Sequence, residues 1–310
     1  MRKIFYKYLR GILCVVLANA GLSAELSREK PGDPVSIPIE ECHGFWIAHG
    51  VYLNGSGPHR LLIDTGSESS TVDEALAAEM RLEPDYRVEI VTATGTALVP
   101  AVERAHLRIS MGFEDAVDAG HIEILIHNLG TIQKRVPGVR GVLGANLLAA
   151  LRVKIDMEHR QLIFDPQVHE FRGDPVAVRI EGGRILVPAE IEGMEGRSLQ
   201  LRLDSGAGGL ILFRSLHSGA KACIRKTGTV YLQTHTGSTI VSAGQLRRFR
   251  LAGKTFTDVE AAFLPQPAGG GRTEDGLLPL SFFRSVTLDL GNGRVFLEVD
   301  RRPNEGGERH

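Results

Sequence analysis

Two aspartates stand in the same short setting. Leu61-Leu62-Ile63-Asp64-Thr65-Gly66-Ser67 returns 140 residues later as Leu201-Arg202-Leu203-Asp204-Ser205-Gly206-Ala207. In each copy an apolar run leads into an acid, a small hydroxyl residue and a glycine. A strand delivers its last residue at a fixed point. Glycine permits a turn that a side chain would obstruct, and its N–H can face the carboxylate. One such turn offers one carboxylate, and two related by pseudo-symmetry can bring a pair together. Like charges about 3 Å apart cannot both ionise, so such a pair shares a proton and presents a base and an acid at once. That is enough to activate a water molecule and to protonate the atom it attacks, with no metal, nucleotide or covalent intermediate needed.

Other chemistries find less support. The 11 histidines are scattered, with no H-E-x-x-H pair among them. Ser67 and Ser70 lack the Gly-x-Ser-x-Gly context of a serine hydrolase. Glu114, Asp115, Asp118 and Glu123 read as a solvated acidic loop rather than a metal site. The net charge of −1 argues against nucleic acid as a partner. Cys42 and Cys223 form neither a disulfide framework nor a metal-ligand pair and read as unpaired thiols.

The elements that must position the aspartates are themselves doubled. Asp33-Pro34-Val35-Ser36-Ile37-Pro38-Ile39-Glu40 opens one unit, and Asp174-Pro175-Val176-Ala177-Val178-Arg179-Ile180-Glu181 opens the other. Runs of β-formers follow at matching places, with turn signals at Asn54-Gly55 and Glu192-Gly193. Beyond the first Asp turn, Thr71 and Glu74 have capping-box spacing ahead of a short helix. A weaker helix is expected near Phe213 to His217. Each half then offers a β-hairpin, with Thr94-Gly95 at one tip and Thr236-Gly237 at the other. Gly141-Val142-Leu143-Gly144-Ala145-Asn146 closes the first unit and Gly276-Leu277-Leu278-Pro279-Leu280-Ser281 the second. Asn146 and Ser281 fall at the same offset, each able to cap a short helix. Final hairpins are expected at Val153–Asp156 and Val286–Asp289, the latter turning at Asn292-Gly293.

The N-terminus reads as an export signal: Arg2, Lys3, Lys7 and Arg10 precede an apolar run, and Ala18-Asn19-Ala20 supplies small residues at alternate positions. The run is short for a membrane span, so a periplasmic or secreted protein is expected, an uncleaved membrane anchor being the alternative. The organisation is then a signal peptide over 1–20, a linker over 21–32, an N-terminal lobe over 33–172, a C-terminal lobe over 173–300 and a disordered tail over 301–310.

Taken together, these residues resemble the retropepsin-like and pepsin-like aspartic proteases, whose pattern is D-[TS]-G-[SAT] answered downstream by two apolar residues and a glycine. Asp64-Thr65-Gly66-Ser67 is answered by Val142-Leu143-Gly144, and Asp204-Ser205-Gly206-Ala207 by Leu277-Leu278-Pro279. The resemblance spans roughly 33 to 300 and implies a mainly β fold of two pseudo-symmetric lobes in one chain, with the active cleft between them. It implies Asp64 and Asp204 as the catalytic pair. Thr65, Gly66, Ser67, Ser205, Gly206 and Ala207 are then the supporting loops, with Thr65 and Ser205 locking them together through their hydroxyls. Thr94, Gly95, Thr236 and Gly237 become candidate flap residues, although Thr92 to Thr96 lacks the aromatic residue that pepsin-like flaps carry. The implied activity is hydrolysis of an extended peptide or protein by a monomer without cofactor. Pro279 stands where the pattern has glycine. That leaves the backbone under Asp204 open and admits an alternative, a catalytically silent peptide-binding module. Ser67 beside Asp64, against Ala207 beside Asp204, gives Asp64 the extra donor and makes it the easier of the two to ionise.

Overall fold

The computed structural model describes residues 34–91, 96–110, 116–148, 150–165, 168–194, 196–213, 224–234, 237–264 and 273–299. The expected signal peptide, linker and tail lie outside them. So do Thr94, Gly95, Thr236, Cys223, Glu114, Asp115 and all but the first residue of the helix expected near Phe213.

The chain is mainly β. The first lobe runs through β1 (Val35–Cys42), β2 (Phe45–Leu53), β3 (Ser56–Ile63), β4 (Ser70–Asp73), β5 (Tyr86–Val91), β6 (Thr96–Ser110), β7 (Ala116–His127), β8 (Gly141–Leu143), β9 (Val153–Asp156) and β10 (Gln161–Phe164). Among the described residues three short helices interrupt it, α1 (Glu74–Glu79), α2 (Gly130–Arg135) and α3 (Ala145–Leu148). The second lobe has β11 (Asp174–Ala177), β12 (Arg179–Glu181), β13 (Arg184–Ile191), β14 (Leu199–Asp204), β15 (Leu210–Phe213), β16 (Ile224–Thr234), β17 (Gly237–Leu251), β18 (Lys254–Leu264), β19 (Gly276–Pro279), β20 (Phe283–Asp289) and β21 (Arg294–Val299).

The strand order shows the duplication directly. One lobe reads β2-β3-β8-β4-β7-β6-β5 with β2 also pairing β6, and the other reads β13-β14-β19-β15-β18-β17-β16 with β13 also pairing β17. Each pairing therefore has its counterpart, including the one that closes each sheet on itself and so removes two edges. The opening strands match as well. β1 pairs β10 through Pro38 and then β2 from Ile39, whereas the second copy divides that task between β11, on β21, and β12, on β13.

The lobes are joined by a sheet in the order β11-β21-β20-β9-β10-β1, three strands from each half. Its centre is the antiparallel pair β9–β20, where Lys154 lies opposite Thr287 and Val153 opposite Leu288. The final hairpins expected from sequence supply these strands, and Gly293, at φ 64°, makes the second turn. The buried Val153, Ile155, Val286 and Leu288 belong to the core cluster that both lobes share. Each such side chain removed from water contributes about 1.5–3 kcal/mol.

β14 shows how alternation aims an aspartate. Leu199, Leu201 and Leu203 are buried, while Gln200, Arg202 and Asp204 turn to the other face. β3 ends differently: Leu61, Leu62 and Ile63 are all buried. Leu62 packs on the second face with Ile47, Leu129, Val136, Val139 and Val142, in the segment that carries α2.

Three local expectations need correction. The cap of α1 is Asp73, whose carboxylate accepts from Ala75 N at 3.0 Å, while Thr71 is still within β4. Asn146 lies inside α3 and Ser281 inside the 3-10 turn Leu280–Phe282, so neither is an N-cap. Asp118 and Glu123 lie on β7 rather than in a loop.

Candidate active site

Each aspartate ends a strand wedged beside another. β3 runs parallel to β8, placing Ile63 beside Leu143, and Asp64 N donates to the Leu143 carbonyl at 2.9 Å. β14 runs parallel to β19, and Asp204 falls opposite Pro279. Pro279 thus keeps the register that the sequence left open, and the reason is a paired replacement. In the first lobe Gly144 N donates to Ser70 Oγ at 3.0 Å. In the second lobe the matching positions are Pro279, which has no N–H, and the buried Leu210, which has no hydroxyl. Donor and acceptor are lost together, so neither is left unsatisfied.

The two turns are locked to one another. Thr65 N donates to Ser205 Oγ at 2.9 Å, and Ser205 N donates to Thr65 Oγ1 at 3.0 Å. Each hydroxyl then donates onward across the interface, Thr65 Oγ1 to Leu203 O at 3.0 Å and Ser205 Oγ to Ile63 O at 2.8 Å. Both residues are buried, so four polar groups find partners nowhere but in the opposite lobe.

Above this lock the carboxyl groups lie against each other's loops. A methyl group on Gly66 would land on the Asp204 carboxyl, and one on Gly206 would lie 3.1 Å from both Asp64 oxygens. Gly66 is thus required by close approach across the lobes, and Gly206 lies in a tight contact of the same kind. Gly66 N donates to Asp64 Oδ1 at 2.9 Å and Gly206 N to Asp204 Oδ1 at 2.8 Å. Ser67 Oγ donates to Asp64 Oδ2 at 3.1 Å. Ala207 offers Asp204 only its backbone N–H. Asp204 is partly exposed but densely surrounded by protein, and its carboxyl is pushed up to about 7, first by burial and then by the neighbouring Asp64 charge, with Arg202 opposing. The missing hydroxyl beside Ala207 acts in the same direction, yet burial is the larger cause, and sequence gives no measure of it.

Around the first loop lies a brace that sequence reading missed. Asn146 Oδ1 accepts from both Ser70 N and Ser70 Oγ at 2.8 Å, and Asn146 Nδ2 donates to the Glu123 carbonyl at 2.8 Å. The Glu123 carboxylate accepts from Ser69 Oγ at 3.3 Å and from the hydroxyl of Tyr86, at the base of the first hairpin. The downstream Gly-Ala-Asn motif was the available signal. Ser281, its counterpart, is exposed.

The candidate flap residues have no described geometry except Gly237, which opens β17 opposite Thr234. The arms of both hairpins are present, Val91 facing Thr96 in one and the long β16–β17 ladder forming the other. Among the described residues no group of three or more His, Cys, Asp or Glu side chains is arranged to hold a metal ion. Nor is any helix among them long and apolar enough to cross a membrane.

No curated protein matches the chain significantly. The sequence profile of a family described as aspartyl protease matches twice, over residues 50–147 and again over residues 187–282, each match containing one aspartate turn and its partner strand. Doubled sheet and doubled match agree: the chain belongs to the aspartyl protease family, in a two-lobed single-chain form.

Proposed function

We propose that this protein is an exported endopeptidase that hydrolyses peptide bonds with a water activated between Asp64 and Asp204. The observation that carries the reading is the cross-lobe packing of the two turns, in which each carboxyl lies against the other turn's glycine. The asymmetry between the two acids assigns their roles. Asp64, with the Ser67 hydroxyl and Gly66 N–H as donors, takes the role of base and removes a proton from water as it adds to the peptide carbonyl carbon. Asp204, held protonated by burial, donates its proton to the carbonyl oxygen. Collapse of the resulting diol returns that proton to Asp204, transfers the proton held by Asp64 to the leaving nitrogen and breaks the C–N bond. Because Asp204 releases its proton near neutrality, the working range ends there and lies on the mildly acidic side.

The substrate is an extended peptide. β5 and β16, outermost in their sheets, are arms of the two hairpins and would add an extended peptide by main-chain hydrogen bonds. Pro279, which had favoured a silent binding module, is compensated by Leu210 and supports neither reading. Export rests on the basic, apolar and small-residue order of the first 20 residues. Digestion of an undirected peptide library in H2 18O tests the activity. New C-termini carrying solvent oxygen are expected from the wild type and none from Asp64→Asn; fragments produced equally by both would refute the assignment.

A further inference from the structure

The strands that end in the aspartates differ two residues upstream, at a position that shares the acid's face. In the first lobe this is Leu62, packed into an apolar cluster. In the second it is Arg202, whose side chain is only 13% exposed. Its Nη2 donates to the carbonyl of Gly66 in the opposite lobe, the residue whose N–H holds Asp64. Its Nη1 faces Glu274 at 3.9 Å, and that carboxylate, 1% exposed, takes Arg184 Nη1 on its other oxygen at 3.0 Å. Both arginines also face Glu68, just beyond the first turn, at 3.5 and 3.9 Å. Leu62 has no donor with which to return the contact to Gly206.

We propose that Arg202, held by the buried Glu274, is a positioning residue that straps the first aspartate turn to the second lobe and biases the charge between the two acids. The inference rests on the endopeptidase reading above. The strap adds to the Thr65–Ser205 lock but, unlike it, has no symmetric copy. It fixes the carbonyl of Gly66, the residue whose N–H donates to the Asp64 carboxyl, in the frame of the strand that carries Asp204. The charged groups facing Asp204 are Asp64 and Arg202; those facing Arg202 are Asp204, Glu274 and Glu68, the last two also contacted by Arg184. The guanidinium opposes the upward push of burial and of Asp64, so removing it should raise Asp204 further.

Two substitutions separate geometry from charge. Arg202→Met removes both, whereas Arg202→Lys keeps the charge but cannot reproduce a planar fork. The readouts are kcat and KM against pH on a peptide the wild type cleaves, and the 13C-carboxyl titration of Asp204. In Arg202→Met the basic limb and the Asp204 titration should rise together by about half a pH unit or more, with kcat down about tenfold and KM changed less than about threefold. In Arg202→Lys the limb should stay within about 0.3 unit while kcat still falls severalfold. Arg250→Met removes an exposed arginine that pairs with Glu190 at 3.1 Å and should move neither readout. A methionine variant with the wild-type limb and titration would overturn the proposal. So would a lysine variant with wild-type kcat, which decides alone if the methionine variant does not fold. A wild type that cleaves nothing refutes the endopeptidase reading instead. The Asp204 titration then judges Arg202 separately: a rise in Arg202→Met supports the strap's charge role, and coincidence with wild type refutes it.

Discussion

Replacing Asp204 by asparagine should stabilise the fold, and by an amount that grows with pH. In the folded protein the Asp204 carboxyl keeps its proton up to about 7, whereas its ordinary value is 3.8. Between those values the folded state binds a proton that the unfolded chain has released, so the free energy of unfolding falls as pH rises, and the loss is complete above the folded value. At about 1.4 kcal/mol per pH unit, the penalty is on the order of 2 kcal/mol at pH 5 and 4 kcal/mol at pH 8. Asparagine cannot ionise, yet its side-chain oxygen can still accept from Gly206 N, the contact made at 2.8 Å by Asp204. The stability gap between Asp204→Asn and wild type should therefore widen by about 2–3 kcal/mol from pH 5 to pH 8, somewhat less where cleft water screens the pair. Urea unfolding followed by circular dichroism at the two pH values measures it. A gap that is flat, or that narrows toward alkaline pH, would show that Asp204 is not held protonated and would remove the basis for its role as the acid.

Other outcomes follow from the same contacts. Ser205→Ala leaves Thr65 N without its acceptor and Ile63 O without its donor, and should cost about 2–4 kcal/mol in denaturant unfolding. Asn146→Ala removes the partners of Ser70 and of the Glu123 carbonyl and should cost a similar amount, about 2–4 kcal/mol. Ser281→Ala at the exposed counterpart should stay within about 0.5 kcal/mol. In pH–rate profiles, Ser67→Ala should move the acid limb upward and Ala207→Ser should move the profile toward acid, because each changes a donor to an ionised carboxylate; superimposable profiles would refute this. N-terminal sequencing of the secreted form should begin after Ala20 or Ala24, and a mature chain still starting at Met1 in the cell would sink the export proposal.

What could be read from the sequence was whatever repeats locally. Leu-Leu-Ile-Asp-Thr-Gly and Leu-Arg-Leu-Asp-Ser-Gly carry an apolar strand and the turn on their face, and Val142-Leu143 and Leu277-Leu278 mark the partner strands. What escaped depends on residues that meet only in space. Arg202 reads as an ordinary outward position of an alternating strand until its reach to Gly66, 136 residues away, is known. Glu274 gives no sign that it is buried. Asn146 has the composition of a cap, but a helix already under way leaves its side chain free to reach back to Ser70. The capping-box spacing of Thr71 and Glu74 failed for a related reason: β4 is held by β7 and β8 as far as Asp73, so the helix can begin only after it. Pro279 looked like a defect because its compensation, Leu210 in place of Ser70, sits on a different strand.

The central claim is that Asp64 and Asp204 act as one unit on a peptide bond. It is tested most directly by kcat/KM for a single cleavable peptide with Asp64→Asn, Asp204→Asn and the double variant, each shown to be folded. Either single substitution should lower the rate by about a thousandfold or more, and the double variant should lose little beyond that, because residues acting as a unit are not additive. A folded single variant within about tenfold of wild type, or losses that simply multiply in the double variant, would contradict it.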